Sequence, residues 1–195
     1  MAEISQQALE QLFLGARTQS GWLNVPVDDA TLEQIYDIAK MGPTSMNCQP
    51  MRLVFIRSDE AKARLIPALS AGNVPKVQQA PVVALIAQDT RFYEHMPKIW
   101  FREGAKEMFE GNAGLAAATA TRNSALQGAY LIIAARAVGL DAGPMSGFDA
   151  AKINAEFFPD GRYSVNFICA LGKGDHSKVM DRQPRLSFDD VAQVL

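Results

Sequence analysis

Residues 81–88 read PVVALIAQ, a continuous apolar run of strand length. Such a run is typical of a β-strand that is buried on both faces of a sheet. Residues 165–171, VNFICAL, form a second run of this kind, and residues 51–57, MRLVFIR, form a shorter one after a cluster of turn residues. Strands separated by helical segments predict one sheet covered by helices, in the α/β or the α+β class.

The segments between these runs have helical spacing. Apolar residues recur at this spacing over residues 5–15 and again from Leu32 to about Met41, where Thr31 and Gln34 predict a capping box at the start of the helix. Further helices are predicted at residues 59–69, 74–79 and 150–158. Residues 91–114 alternate charged and aromatic side chains and are predicted to be an amphipathic insertion over the core.

The longest predicted helix covers residues 115–138 and is apolar almost all round. It should therefore lie in the core or in a subunit interface. Its arginines, Arg122 and Arg136, leave only residues 123–135 uncharged, whereas a membrane span needs about 20 apolar residues. We expect no membrane association. The first 17 residues lack the apolar core of a signal peptide, so we expect a cytoplasmic protein with reduced thiols.

Composition narrows the function classes. The 195 residues are 48% hydrophobic and 21% charged, which predicts a single globular domain over residues 1–195. The formal net charge of -2 gives no bulk attraction to nucleic acid. A structural zinc site needs about four Cys or His ligands at short spacings, and Cys48 and Cys169 lie 121 positions apart, so we expect no metal. The sequence has no G-x-G-x-x-G or G-x-x-x-x-G-K-[ST] motif, and its GPMSG segment is not a hydrolase nucleophile elbow.

What remains is a set of short polar loops, far apart in sequence, that are rich in backbone donors and carry cations. Arginine suits phosphate, asparagine suits the edge of a heteroaromatic ring, and lysine suits negative charge that develops on such a ring. The pattern predicts a cofactor with both a phosphate and a ring. The loops are Arg17-Thr18, residues 43–49, Asn73 with Lys76, residues 143–147, and Arg185.

At these loops the chain resembles the FMN-dependent nitroreductase-like flavoproteins. PTSMNCQPMRLVFI (43–56) resembles that family's P-S-x-x-N-x-Q-P-W-x-F/V segment, with Met51 in place of the usual Trp. NVPK (73–76) before Ala80-Pro81 matches its N-x-x-K, and GLDAGPMSGF (139–148) resembles its glycine turn. The chain also looks like the family's malonic semialdehyde reductase branch, on motifs that occur in this order: ART, GW, GPTSxNC, LSxGN, RNSxxQxAYL, GLDxGPMSGFD and PRLSF.

The resemblance implies an α+β nitroreductase-like fold with a central, mainly antiparallel sheet surrounded by helices, and an intertwined homodimer with FMN at its interface. It implies NADH or NADPH as electron donor and malonic semialdehyde as acceptor, reduced to 3-hydroxypropionate during pyrimidine catabolism. Two alternatives stay open. One is a broad nitroaromatic or quinone reductase, and the other is a non-catalytic flavin-binding protein.

The resemblance also implies site residues. Arg17, Thr18 and Arg185 would hold the FMN phosphate and ribityl chain, and Asn73 and Lys76 would lie at the pyrimidine edge. Gln183 stands where the family usually has a basic residue, and Arg182 would compensate. Beyond the resemblance, we hypothesise that Arg122 or a residue of the 91–114 insertion binds the carboxylate of the acceptor. Further implied residues are Pro43, Thr44, Ser45 and Asn47, from the partner subunit, and Pro144, Met145, Ser146 and Gly147, at the N5/O4 side of the ring.

Overall fold

The centre of the molecule is a four-stranded sheet. The computed structural model describes residues 2–195, and in it the strands lie in the order β1-β2-β4-β3 with every neighbouring pair antiparallel. The predicted α+β class with an antiparallel sheet is therefore confirmed. The strands are β1 (Met51–Ile56), β2 (Val82–Asp89), β3 (Asp141–Met145) and β4 (Tyr163–Gly172).

Burial of β2 explains its continuous apolar sequence. Val83 and Leu85 pack into one core cluster together with residues of β4, whereas Ala84 and Ile86 pack into a second cluster with residues of the long helix Ala113–Ala137. All four of these side chains are buried. Since successive side chains of a strand point to opposite faces, both faces of β2 are covered, as the sequence predicted.

Helices cover the sheet and confirm the predicted segments, with small shifts at their ends. The first continues as a π-helix over Glu10–Leu14, and 3-10 turns include Ser45–Asn47 and Phe92–His95. The α-helices are α1 (Gln6–Leu9), α2 (Asp29–Ala39), α3 (Asp59–Leu65), α4 (Val74–Gln79), α5 (Met96–Ile99), α6 (Ala105–Glu110), α7 (Ala113–Ala137), α8 (Ala150–Phe157) and α9 (Phe188–Val191).

The predicted capping box of α2 is wrong. The helix begins three residues earlier, and Asp28 is its N-cap, with the Asp28 side chain accepting a hydrogen bond from the Thr31 backbone N–H at 2.8 Å. Aspartate is a strong N-cap residue, and the acceptor at position 28 places Thr31 inside the first turn.

Helix α7 divides into a buried and an exposed face. Its buried face packs against α2 and the sheet and includes the polar side chains Asn123 and Gln127. Its other face exposes large apolar side chains, among them Leu115, Leu126 and Tyr130. This face has no covering element within residues 2–195. Among these residues we find no helix with both the length and the apolarity needed to cross a bilayer.

Candidate cofactor site

Five cations line one cavity of about 620 Å³, which we call the cation cavity. They come from the segment after the first helix, from α4, from the end of α7 and from the C-terminal segment: Arg17, Lys76, Arg136, Arg182 and Arg185. Within residues 2–195 none of the five forms a salt bridge, although Asp181 also lines the cavity. Such uncompensated charge is suited to an anionic ligand.

Backbone oxygens hold all four of these arginines, three of them in the N-terminal and C-terminal segments. Arg17 donates to the carbonyl oxygen of Met180, Arg182 donates to that of Ala16 at 3.2 Å, and Arg185 donates to that of Gln183 at 2.8 Å. The first two bonds join the segment near residue 17 to the C-terminal segment. The arginines are therefore positioned without being neutralised, since a carbonyl oxygen carries no net charge.

Arg136 is the cavity residue that sequence reasoning missed as a ligand. It lies in the last turn of α7, where its Nη1 donates to the Leu12 carbonyl oxygen at 3.0 Å. Burial lowers the pKa of its guanidinium. A signal existed in the sequence, because Arg136 interrupts a long uncharged stretch directly before the glycine turn at residues 139–148.

Close backbone packing builds one wall of the cavity. The Gln19 N–H donates to the Ala142 carbonyl oxygen at 3.1 Å, which brings the segment of Arg17 and Thr18 against β3. A Cβ on Gly143 would lie 2.4 Å from the Gln19 carbonyl oxygen, so this approach requires glycine. The Gln19 side chain is only 2% exposed, and its Oε1 has no hydrogen-bond partner in the described chain.

The predicted ring-edge residues form a hydrogen-bonded chain beside the cavity. Lys76 Nζ donates to Asn73 Oδ1 at 3.3 Å, and Asn73 Nδ2 donates to the Gly147 carbonyl oxygen at 3.0 Å. A Cβ on Gly147 would lie 2.8 Å from Asn73 Nδ2, so glycine allows this contact. Pro144 and Met145 line the cavity with Lys76, and Ser146 and Gly147 follow them directly.

The remaining predicted residues lie elsewhere. The cavity lining does not include Pro43, Thr44, Ser45 or Asn47. Their loop packs against α7 and the insertion, because the Ser45 N–H donates to Asn123 Oδ1 at 2.8 Å and Asn47 Nδ2 donates to the Ile99 carbonyl oxygen at 2.8 Å. One chain therefore brings together Arg17, Thr18, Lys76, Pro144, Met145 and Arg185 with Arg136 and Arg182, and not the 43–47 loop.

The 43–47 loop and the residues after it have an unusual backbone. Met46, Asn47 and Gln49 have φ angles of 50°, 53° and 39°, a left-handed region that costs energy for residues other than glycine. The Gln49 N–H donates to Thr44 Oγ1 at 3.2 Å and helps to hold this shape. Burial raises the pKa of Cys48 to about 11, so its thiol is protonated at neutral pH and is not a nucleophile.

These features fit a phosphate-bearing ring cofactor. The cation cavity supplies charge for the phosphate. Lys76 and Asn73 supply a donor and polar amide groups to a ring edge beside that cavity. The donor set consists of nitrogen groups and backbone amides, which is the chemistry of anion and heterocycle binding.

Comparison with known proteins identifies the family. The Nitroreductase family model matches residues 16–173, so the chain belongs to the nitroreductase family of oxidoreductases. It is 54% identical over 192 residues to a protein of Polynucleobacter asymbioticus, and the match covers 98% of each chain. It is 52% identical over 194 residues to a protein of Burkholderia lata, with 100% of each covered. Both relatives bear the name "Putative NADH dehydrogenase/NAD(P)H nitroreductase".

Solved structures share the fold. A "putative nitroreductase" of Bacillus subtilis superposes with a TM-score of 0.86 at 21% identity, covering 98% of this chain and 100% of that one. A "putative nitroreductase in complex with FMN" from Exiguobacterium sibiricum gives a TM-score of 0.84 at 23% identity, with 100% of both chains covered. At such identities the likeness establishes the architecture, which is the predicted nitroreductase-like fold.

Proposed function

We propose that the chain is an FMN-dependent NAD(P)H oxidoreductase. The observation that carries this proposal is the cation cavity, where four arginines without ion pairs in residues 2–195 adjoin the Asn73–Lys76 ring-edge pair. The names of the relatives and the FMN complex of the Exiguobacterium structure support it. When bound, FMN supplies the chemistry, by accepting a hydride from NADH or NADPH and delivering it to an acceptor.

The residues of the chain bind and polarise the cofactor. Arg17 with Thr18, Arg182 and Arg185 hold the phosphate, and Arg136 adds a further cation from α7. Lys76 lies where negative charge develops on the ring, and a fixed cation there stabilises that charge without reorganisation. Its hydrogen bond to Asn73 fixes the position of the ammonium group.

We further propose that the working unit is an intertwined homodimer of single-domain subunits. Two observations support it: the 43–47 loop lies away from the cation cavity, and the adjoining face of α7 exposes apolar side chains. In the dimer, Pro43, Thr44, Ser45 and Asn47 of each chain approach the flavin of the other. The C-terminal arm, where Leu186 and Phe188 are exposed, crosses to the partner. The free thiols Cys48 and Cys169 suit the reducing cytoplasm.

For the acceptor we propose malonic semialdehyde, in pyrimidine catabolism. Its aldehyde carbon receives the hydride and its oxygen receives a proton from solvent, which yields 3-hydroxypropionate and NAD(P)+. The support is the ordered set of branch motifs, of which GLDAGPMSGF supplies the cavity residues Pro144 and Met145 and RNSALQ lies on α7.

The names of the relatives favour a second candidate, a broad nitroaromatic or quinone reductase. The two functions share the cofactor and the donor and differ in the acceptor. A non-catalytic flavin-binding protein remains the third alternative, in which the same cavity holds FMN without turnover.

An anaerobic titration separates these functions. We expect purified protein to be yellow, to bleach with NADH or NADPH, and to recover its colour when malonic semialdehyde is added. Values of kcat/KM for malonic semialdehyde, nitrofurazone and menadione then rank the acceptors. Recovery with the nitro compound or the quinone alone would favour the second candidate, and yellow protein that does not bleach would favour the third. Colourless protein that fails to bind added FMN would overturn all three.

A further inference from the structure

Helix α7 carries very little charge. Of its 25 residues only Arg122 and Arg136 are charged, and Arg136 belongs to the cation cavity. Arg122 lies on the exposed face, one helical turn from Ala118, Ala125 and Leu126, all of them exposed. It is thus a single cation on an apolar surface. Within residues 2–195 its guanidinium forms no salt bridge.

The position of Arg122 is tied to the 43–47 loop. Its neighbour Asn123 is 2% exposed, accepts a hydrogen bond from the Ser45 N–H at 2.8 Å and donates to the Thr119 carbonyl oxygen at 2.9 Å. These two bonds lock the loop onto the turn of α7 that bears Arg122. The cation therefore belongs to the same rigid surface as the loop that we propose to approach the flavin.

Burial of this face requires an anion beside Arg122. A charge taken out of water is costly unless it is paired. Helix α7 contains no Asp or Glu, and residues 42–50 contain none either. In a two-fold dimer the same surface of the second copy faces this one, so it brings no acid from these segments. These segments therefore give Arg122 no counter-ion from either copy, and an anionic ligand at this face supplies one.

We propose that Arg122 binds the carboxylate of the acceptor, which makes the enzyme selective for small acceptors that carry an acid group. This inference rests on the proposed function. Arginine suits the role because its planar fork donates two parallel hydrogen bonds to a carboxylate. The carboxylate of such an acceptor neutralises the charge of Arg122 in the apolar surroundings. An uncharged acceptor of the same size leaves this charge unpaired and therefore binds less well.

Matched acceptors test the proposal. Malonic semialdehyde is compared with propanal, and 4-nitrobenzoate with nitrobenzene, so that each pair differs by one carboxylate. We expect wild-type kcat/KM to favour the acid of each reducible pair, and Arg122→Gln to lower that ratio at least tenfold, mainly through KM. Arg122→Lys should recover part of it. Arg102→Gln tests the alternative site in the 91–114 insertion, because Arg102 also forms no salt bridge in the described chain and lies over the Phe101 ring; it should leave the ratio unchanged.

Other measurements keep the two proposals distinguishable. Reduction of the bound flavin by NAD(P)H is followed separately, and its failure in the wild type counts against the proposed function. With that step intact, an Arg122→Gln ratio within twofold of the wild-type ratio overturns the inference. A wild type whose kcat/KM shows no preference for the acid of each pair also overturns it, and so does a fall of the acid-to-neutral ratio in Arg102→Gln and not in Arg122→Gln. An Arg122→Gln variant that loses kcat/KM equally for both acceptors, and whose dimer dissociates in sedimentation, overturns it as well.

One test needs no variant, in case Arg122→Gln does not fold. Malonate should compete with nitrobenzene or menadione in the wild type at least tenfold more strongly than malonamide, which has similar size and no charge. Equal inhibition by the two compounds would overturn the role of Arg122.

Discussion

The arginines of the molecule occur in two opposite electrostatic environments. In the cation cavity, four arginines and Lys76 converge without a salt bridge among residues 2–195. At one end of β2, the fully buried carboxylate of Asp89 is instead paired with Arg52 at 2.8 Å and with Arg162 at 2.7 Å. Glu94 and His95 also contact this group, which we call the Asp89 cluster.

The difference separates structural charge from binding charge. The Asp89 cluster is self-contained, so its carboxylate and guanidinium groups stabilise the folded chain and tie the start of the insertion to β1, to β2 and to Arg162, which directly precedes β4. The cation cavity holds its arginines with backbone carbonyl oxygens and leaves their charge for an anion from outside. Substitutions in the first region should therefore change stability, and substitutions in the second should change affinity.

The largest effect is expected for Asp89→Asn. The amide keeps the shape of the side chain and removes the charge that neutralises Arg52 and Arg162, which should cost about 3–5 kcal/mol of unfolding free energy. Urea denaturation at pH 7 measures the loss. Asp29→Asn is the matched control, because the Asp29–Arg57 pair is exposed and should contribute less than about 1 kcal/mol. A loss below about 1 kcal/mol in Asp89→Asn would contradict the structural role of the cluster.

Arg185→Gln should weaken FMN binding and leave stability nearly unchanged. A hydrogen bond to a charged group contributes about 1.5–3 kcal/mol, which corresponds to an increase in Kd of about 10- to 150-fold. Fluorescence titration of the apoprotein measures the affinity, and urea denaturation checks the fold. Arg64→Gln serves as control, because Arg64 is exposed and pairs with Glu156 at 2.6 Å. An unchanged Kd in Arg185→Gln would remove Arg185 from the site.

Gln183→Lys should tighten FMN binding. Gln183 lines the cation cavity at the position where the resemblance leads one to expect a basic residue. An added cation there should lower Kd by about threefold at low salt, with the gain shrinking at high ionic strength because of screening. Titrations at two salt concentrations test this, with Gln78→Lys on α4 as the control. A gain that does not depend on salt would point to a cause other than charge.

The smallest effect concerns the pH dependence of the Asp89 cluster. A hydrogen bond from Arg162 is the main cause that lowers the pKa of Glu94 below its ordinary value of 4.5. A carboxylate with a lowered pKa stabilises the fold above that ordinary value, and the contribution is lost as the pH falls through the lowered pKa. Glu94→Gln should therefore lose less stability than the wild type between pH 5 and pH 2.5. Parallel stability curves would contradict this.

The sequence predicts those features of the structure that are determined by residues close together along the chain. β2 and β4 follow from continuous apolar runs, and α4 follows from its own spacing. The glycine turn at residues 139–148 indicates at most a short strand, because Gly143 and Pro144 weaken one, and in β3 pairing with β4 compensates for this. The sequence does not indicate Arg136 as a ligand, because Arg136 comes close to residues 17, 182 and 185 only in the folded chain, and no local pattern shows this. Arg182 was a hypothesis, and the structure places it in the cavity.

The left-handed residues of the 43–47 loop and its continuation have a thermodynamic consequence. The free energy needed to order Met46, Asn47 and Gln49 is offset when each chain folds, because the loop then forms hydrogen bonds with Asn123 and Ile99. The loop therefore has its shape before any ligand arrives, so binding loses little conformational entropy there. A substrate would meet a preorganised surface, and its association rate would be limited by encounter and not by rearrangement of this loop.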